Sequence, residues 1–267
     1  MKGIVFAGAL SLLLSFIFTP SLIRILAKRG VGQMIRDDGP KSHHVKRGTP
    51  TMGGIVLISS SIIAYFASHL LTGVGITASA ILVIALIVGL GLVGFLDDWL
   101  KISRKQSTGL TAKQKLLGQA IVAAGFAYSG LHFKDETGLA PISTYFSGVR
   151  DTSLKLGVVF VIIWVIFLVL GSSNGVNLTD GLDGLVIMPV ILVGAALGVF
   201  AYVMGNAIYT KYLLFPFIPG AGELMIFCGA MSGAGLAFLW FNTHPAQVFM
   251  GDVGALSLGA ALGTVAV

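Results

Sequence analysis

Charge is what this sequence has least of. Lysine, arginine, aspartate and glutamate make up 10% of its 267 residues, against 55% apolar residues. A soluble domain carries about 25% charged residues. The shortfall excludes a water-soluble globular protein, so bilayer rules apply. Strict alternation of apolar and polar residues is also missing, which excludes the strands of an outer-membrane barrel. The single cysteine, Cys228, lies inside an apolar run. It cannot form an internal disulfide and reads as a small buried side chain. No Walker A pattern occurs, which excludes a nucleotide-hydrolysing P-loop. The net charge of +6 does not point to nucleic acid, because of where the basic residues fall.

What the sequence does have is eight continuous apolar segments, at 3–23, 52–71, 77–96, 116–131, 155–172, 185–204, 222–241 and 253–267. Most approach the ~20 residues that a spanning helix needs. The fourth is short and contains Gln119. The first is too long for a signal peptide and no A-x-A-like site follows it. The 36 glycines suit close helix packing, as at Gly229 and Gly233, four apart. The expected fold is all-α: one integral-membrane domain over 1–267, a polytopic bundle of about eight spans.

Of the 17 Lys and Arg, seven fall in 24–47 and five in 101–115. The positive-inside rule puts both loops in the cytoplasm and the N-terminus outside. Alternation makes 173–184 and 242–252 cytoplasmic too, and 72–76, 132–154 and 205–221 external. Five of the eleven acidic residues, Asp97, Asp98, Asp180, Asp183 and Asp252, then sit at cytoplasmic ends of apolar segments. A charge costs roughly 2.5–3.5 kcal/mol at a helix centre and less near the interface. One such residue is an ordinary helix-end anchor. Five from three junctions on one face point to a shared cation.

Each junction has its own chemistry. Asp97 and Asp98 are adjacent, and adjacent carboxylates repel unless a cation intervenes or one serves as a base. Asp180 and Asp183, in SNGVNLTDGLDGL (173–185), are three apart and share a face if a helix starts there. Asn177 or Thr179 would cap that helix, with Gly181 and Gly184 open to a ligand. Asp252 opens the last span at a helix N-terminus, which favours anions. Phe249 is expected exposed on the loop before it, as a stacking or anchoring residue. Lys46 and Arg47 before a Gly/Thr-rich turn suit a pyrophosphate. The adjacent His43 and His44 are too few for a transition-metal site.

These motifs have a pattern in common with a known family. The stretches RDDGPKSHHVKRGTPTMGG (36–54), FLDDWLK (95–101), GLTAKQK (109–115), NGVNLTDGLDGL (174–185), NTHPA (242–246) and FMGDVGALSLG (249–259) run through nearly the whole chain. In them the chain resembles the bacterial phospho-N-acetylmuramoyl-pentapeptide transferases, a branch of the polyprenyl-phosphate N-acetylhexosamine-1-phosphate transferase superfamily. The resemblance implies ten spans in the full family, so that the natural protein is expected to continue past Val267.

It also implies an activity. The family transfers phospho-N-acetylmuramoyl-pentapeptide from UDP-N-acetylmuramoyl-pentapeptide to undecaprenyl phosphate, giving lipid I and UMP for peptidoglycan synthesis. The reaction needs Mg²⁺ and runs at the cytoplasmic face of the bacterial plasma membrane, commonly in a homodimer. Carried over, Asp252 binds Mg²⁺, Asp98 supports it, and Asp97 deprotonates or orients the lipid phosphate. Asn177, Asp180, Asp183, Asn242 and Phe249 form the nucleoside and sugar pocket, with Lys46 and Thr51 beside it. Lys101 and Lys113 offset phosphate charge. Direct attack and an aspartyl intermediate remain equally open. The rivals are a sibling that moves GlcNAc-1-phosphate, and a cation transporter, whose acids belong near the midplane instead.

Overall fold

The computed structural model describes residues 1–32, 48–134, 140–147 and 151–267. In lipid, every backbone polar group must be paired within the chain, so apolar runs of this length become helices. The helices are α1 (Lys2–Lys28), α2 (Gly54–Thr72), α3 (Ala78–Arg104), α4 (Ala112–His132), α5 (Val158–Thr179), α6 (Ile187–Met204), α7 (Ala207–Leu213), α8 (Leu224–Asn242) and α9 (Gly251–Val265). All eight expected spans are helices, and the protein is an all-α polytopic membrane bundle. Six helices among the described residues are long and apolar enough to cross a membrane: α1, α2, α3, α5, α6 and α8 with the turn that precedes it. The fifteen-residue α9 falls short in length, and α4 carries Lys113, Gln114, Lys115 and Gln119 in its first half. The additions are α7 and an antiparallel hairpin of β1 (Tyr145–Ser147) and β2 (Asp151–Lys155) between α4 and α5.

The centre of the bundle is α9, buried without interruption from Val253 to Ala261. It packs against α3, α5, α2 and α6, while α8 packs against α1, α6 and α2. Glycine makes these contacts close. A side chain at Gly94 of α3 would overlap the carbonyl of Asp252, and one at Gly259 of α9 would overlap the backbone of Ser172 on α5. On α1 the buried residues Gly3, Ala7, Ser11, Ser15 and Thr19 recur every four positions. They form a small-residue face against α8, and Ser15 Oγ donates to the Ala234 carbonyl at 3.1 Å. Small faces of this kind allow van der Waals packing where lipid supplies no hydrophobic drive between helices.

Two helices run further than expected, and this shapes the site. α3 continues past 96 to Arg104, so Asp97, Asp98 and Lys101 lie on the helix itself. α5 continues to Thr179, so Asn177 is helical and Asp180 is its C-cap. The expected helix start at Asp180 is therefore corrected: α6 begins only at Ile187. Asp180 and Asp183 lie in the connection, not on one helical face. The reason is local. Thr179 Oγ1 bonds back to the Gly175 carbonyl at 2.8 Å and so serves the end of α5 rather than the start of α6.

Candidate active site

The described connections α3–α4, α5–α6 and α8–α9 meet at one end of the bundle, as do the residues that lead into α2. Asp97 and Asp98 lie near the C-terminus of α3 and are almost fully buried. Asp97 Oδ1 accepts from the Leu110 N–H at 2.7 Å, so the α3–α4 connection closes over it. Asp98 Oδ2 accepts from the Val253 N–H at 3.2 Å, a bond from the first turn of α9. Asp252 sits in that same first turn, as expected from sequence. Gly251 precedes it with φ of +74°, and a Cβ there would lie 2.6 Å from Asp98 Oδ2 and 3.1 Å from Thr51 Oγ1. Only glycine gives both the turn and the close approach.

Carboxylate oxygens of Asp97, Asp98 and Asp252 come within 4.8 Å of one another. Two ammonium groups answer them. Lys101 Nζ lies 2.7 Å from Asp97 Oδ2, 2.7 Å from Asp252 Oδ2 and 3.4 Å from Asp98 Oδ1. Lys115 Nζ lies 2.9 Å from Asp252 Oδ2 and 3.8 Å from Asp97 Oδ2. Asn177 joins from α5: with its amide nitrogen toward the carboxylate, it donates to Asp252 Oδ1 at 2.8 Å and accepts from Lys115 Nζ at 3.0 Å. Four helices thus meet at Asp252.

The other site residues from sequence fall around this cluster. The Asp180 carboxyl is raised to about 7, first by burial and then by repulsion from Asp252, Asp98 and Asp183. Asp183 Oδ2 lies 3.2 Å from His244 Nδ1 and accepts from the Ala246 N–H at 3.2 Å, joining the α5–α6 and α8–α9 connections. Asn242 is buried; its Oδ1 accepts from the Gly184 N–H at 3.1 Å and its Nδ2 donates to the Val248 carbonyl at 2.9 Å. Both ends of that amide are engaged within the protein, so Asn242 shapes the wall from behind.

Phe249 is half-buried, a correction to the exposed position expected. Its N–H donates to the Pro50 carbonyl at 2.8 Å and its carbonyl accepts from the Gly53 N–H at 2.9 Å, which straps it to the residues before α2. Lys46 lies outside the described residues. Lys113 is exposed and has no ion pair among the described residues; Lys115 turns into the site instead. Two residues along a helix face nearly opposite ways, so only one of the pair can point inward. The helical period of α4 separates the two, and the neighbouring helices set which of them faces inward. From Thr179 an apolar groove of about 600 Å³ runs between α5, α6 and α9, lined by Phe167, Val186, Val190 and Leu262 among others.

Residues 80–267 match the family model described as glycosyl transferase family 4. The chain belongs to glycosyl transferase family 4. Residues 46–58 also match the phospho-N-acetylmuramoyl-pentapeptide-transferase signature 1. The two matches together make this family 4 protein a phosphosugar transferase of the muramoyl-pentapeptide type. The signature covers Thr51, and the family match covers every other described residue of the cluster. Such a transferase takes a nucleotide-sugar-type substrate and a lipid phosphate acceptor. A set of oxygen ligands with two ammonium groups suits both: hard cations prefer carboxylate oxygens, and lysine is a common phosphate partner.

Proposed function

We propose that the protein transfers phospho-N-acetylmuramoyl-pentapeptide from UDP-N-acetylmuramoyl-pentapeptide to undecaprenyl phosphate, releasing UMP and forming lipid I, the first lipid intermediate of peptidoglycan synthesis. The observation that carries this reading is the convergence of Asp97, Asp98 and Asp252 with Lys101 and Lys115 at one end of a membrane bundle. Phosphoryl transfer depends mainly on positioning and charge neutralisation, and this cluster supplies both. A site at the bundle's end suits one water-borne and one lipid-borne substrate. The basic loops favour the cytoplasmic face of a bacterial plasma membrane. The apolar groove from Thr179 favours a prenyl chain, and a homodimer is part of the same reading.

The residues divide the work as follows. A lipid-phosphate oxygen forms a bond to the sugar-bearing phosphorus, and the bond from that phosphorus to the UMP oxygen breaks. Asp97 takes the residual proton of the lipid phosphate, its carboxylate held by the Leu110 N–H. Lys101 and Lys115 neutralise charge on the departing UMP and the incoming phosphate. Asp252 and Asp98 would hold Mg²⁺; the position between the three carboxylates is one where Lys101 already places a positive charge. When bound, Mg²⁺ supplies Lewis-acid stabilisation of the diphosphate oxygens. Asn177, Asp180 and Asp183 contact the nucleoside and sugar, Phe249 stacks on uracil, and Lys46 and Thr51 border the same pocket.

The test is turnover in membranes that carry the protein. UMP release and lipid product are followed with Mg²⁺ and with EDTA for wild type, Asp97→Asn and Asp252→Asn. Mg²⁺-dependent product, lost in both variants, is expected. Turnover with UDP-GlcNAc alone would move the protein to the sibling reaction. Full activity in both variants would remove the site assignment and leave the transferase.

A further inference from the structure

Gln119 is a fully buried amide in the middle of α4, a helix otherwise packed against α3 and α5 by apolar and small residues. It meets Asn174 of α5 amide to amide. Asn174 Nδ2 donates to Gln119 Oε1 at 2.7 Å, and Gln119 Nε2 donates to Asn174 Oδ1 at 3.4 Å. Asn174 Nδ2 also donates to the Leu170 carbonyl of its own helix at 2.9 Å, which fixes the rotamer it presents. The pair is not isolated. Lys115 and Gln119 are four apart on one face of α4, and Asn174 and Asn177 are three apart on one face of α5. The two helices are therefore joined twice, one turn apart: Lys115 to Asn177 at the carboxylates, and Gln119 to Asn174 deeper in the bundle.

We propose that Gln119 is a positioning residue for the transfer reaction: its amide pair with Asn174 sets the register of α4 against α5 and so delivers Lys115 and Asn177 to Asp252. Apolar helix faces in lipid have little to fix their sliding, since the lipid is as apolar as the partner helix. A reciprocal amide pair is directional, and a one-turn slip leaves its polar groups without partners. Fixing register is the best-attested role of such buried polar contacts. Ser173, next to Asn174, bonds to the Leu256 carbonyl of α9 at 3.1 Å, so α5 is already fixed to the helix that carries Asp252. α4 is tied at its start by the Leu110 N–H to Asp97, and Gln119 fixes it to α5 further into the bundle.

This inference rests on the transferase reading, and its test separates the two. Gln119→Met, Asn174→Leu and the double variant are made in the full-length protein. They are assayed with whichever donor the wild type turns over, muramoyl-pentapeptide or GlcNAc, so an error about the donor leaves the experiment readable. Displacing a group by about 1 Å costs on the order of 10²-fold. Each single variant is expected to lose ten- to a hundredfold in kcat, with donor KM changed less than threefold. The double variant is expected to be no slower than the worse single one, because both remove the same contact. Its apolar pair should restore the thermal midpoint without restoring kcat. Recovery of kcat together with the midpoint would reduce the pair to packing and overturn the proposal. Wild-type kcat in either single variant, or losses that multiply in the double, would overturn it as well.

Discussion

The clearest division between the two lysines of α4 is quantitative. Lys115→Met removes an ammonium 2.9 Å from Asp252 Oδ2 and 3.8 Å from Asp97 Oδ2. At an effective dielectric of about 20, unit charges 2.9 Å apart interact by roughly 6 kcal/mol. Much of that is offset by desolvation, and Lys101 lies 2.7 Å from the same Asp252 oxygen and retains part of the field. A loss of about 3–4 kcal/mol in the transition state, comparable to one oxyanion-hole donor, is therefore expected, or 10²–10³-fold in kcat. Lys113→Met removes an exposed charge two residues away and should leave kcat within about twofold. The assay is UMP release at saturating donor and acceptor, with thermal stability measured in parallel. A Lys113→Met loss as large as that of Lys115→Met, or Lys115→Met activity above a third of wild type, would refute the placement of α4.

Other consequences follow from the same geometry. Gly94→Ala should cost about 1–3 kcal/mol of stability, because the added methyl overlaps the Asp252 carbonyl and cannot be absorbed by a flexible side chain. Gly171→Ala, where the space is open, should be neutral or slightly stabilising; thermal unfolding in detergent compares the two. At the opposite end of the bundle, buried Glu223 accepts from the Tyr65 hydroxyl and from the Thr77 N–H at 3.0 Å, with His69 Nε2 at 2.9 Å but poorly aligned for a ring N–H bond. Glu223→Ala should lower the thermal midpoint by the equivalent of about 1–3 kcal/mol while leaving donor KM unchanged. Asp180 titrates near 7 in the folded protein, above the usual carboxylate value of about 4. The folded state therefore holds its proton more tightly, so its contribution is full below about pH 4 and is lost as pH rises to about 7. In EDTA, the wild-type midpoint should fall relative to that of Asp180→Asn across that window; parallel curves would contradict it.

Much of this was legible in sequence for a physical reason. Apolar runs of about twenty residues have few alternatives in lipid, so the eight helices and the shared end of Asp97, Asp98, Asp180, Asp183 and Asp252 follow from hydropathy and alternation. Asp252 at the start of a helix was legible because the last apolar segment begins directly after it, at 253. Hydropathy failed where helices outlast their apolar run. α3 continues through Asp97, Asp98 and Lys101, and α5 continues through Asn174 and Asn177, because these polar residues find partners on neighbouring helices. That pairing is tertiary, and no local rule reports it. The same limit hid Lys115 and made Phe249 look exposed: each depends on which neighbour lies across the gap.

Glycine explains why so many charges can share one buried place. Three carboxylates and two ammonium groups need their helices closer than side chains usually allow. Gly94 brings α3 onto the start of α9, Gly109 lets the α3–α4 connection lie against Asp97, and Gly251 sets Asp252 beside Asp98. A methyl at Gly109 would sit 2.6 Å from Asp97 Oδ1, the oxygen that accepts from Leu110. Each glycine removes a side chain that would hold a carboxylate away from its partner; Gly94 and Gly251 lie within three residues of Asp97 and Asp252, while Gly109 meets Asp97 across the α3–α4 connection. At these positions the packing glycines of a membrane bundle and the electrostatics of its site are one feature, because an oxygen moved by the width of a methyl group would leave the reach of both lysines.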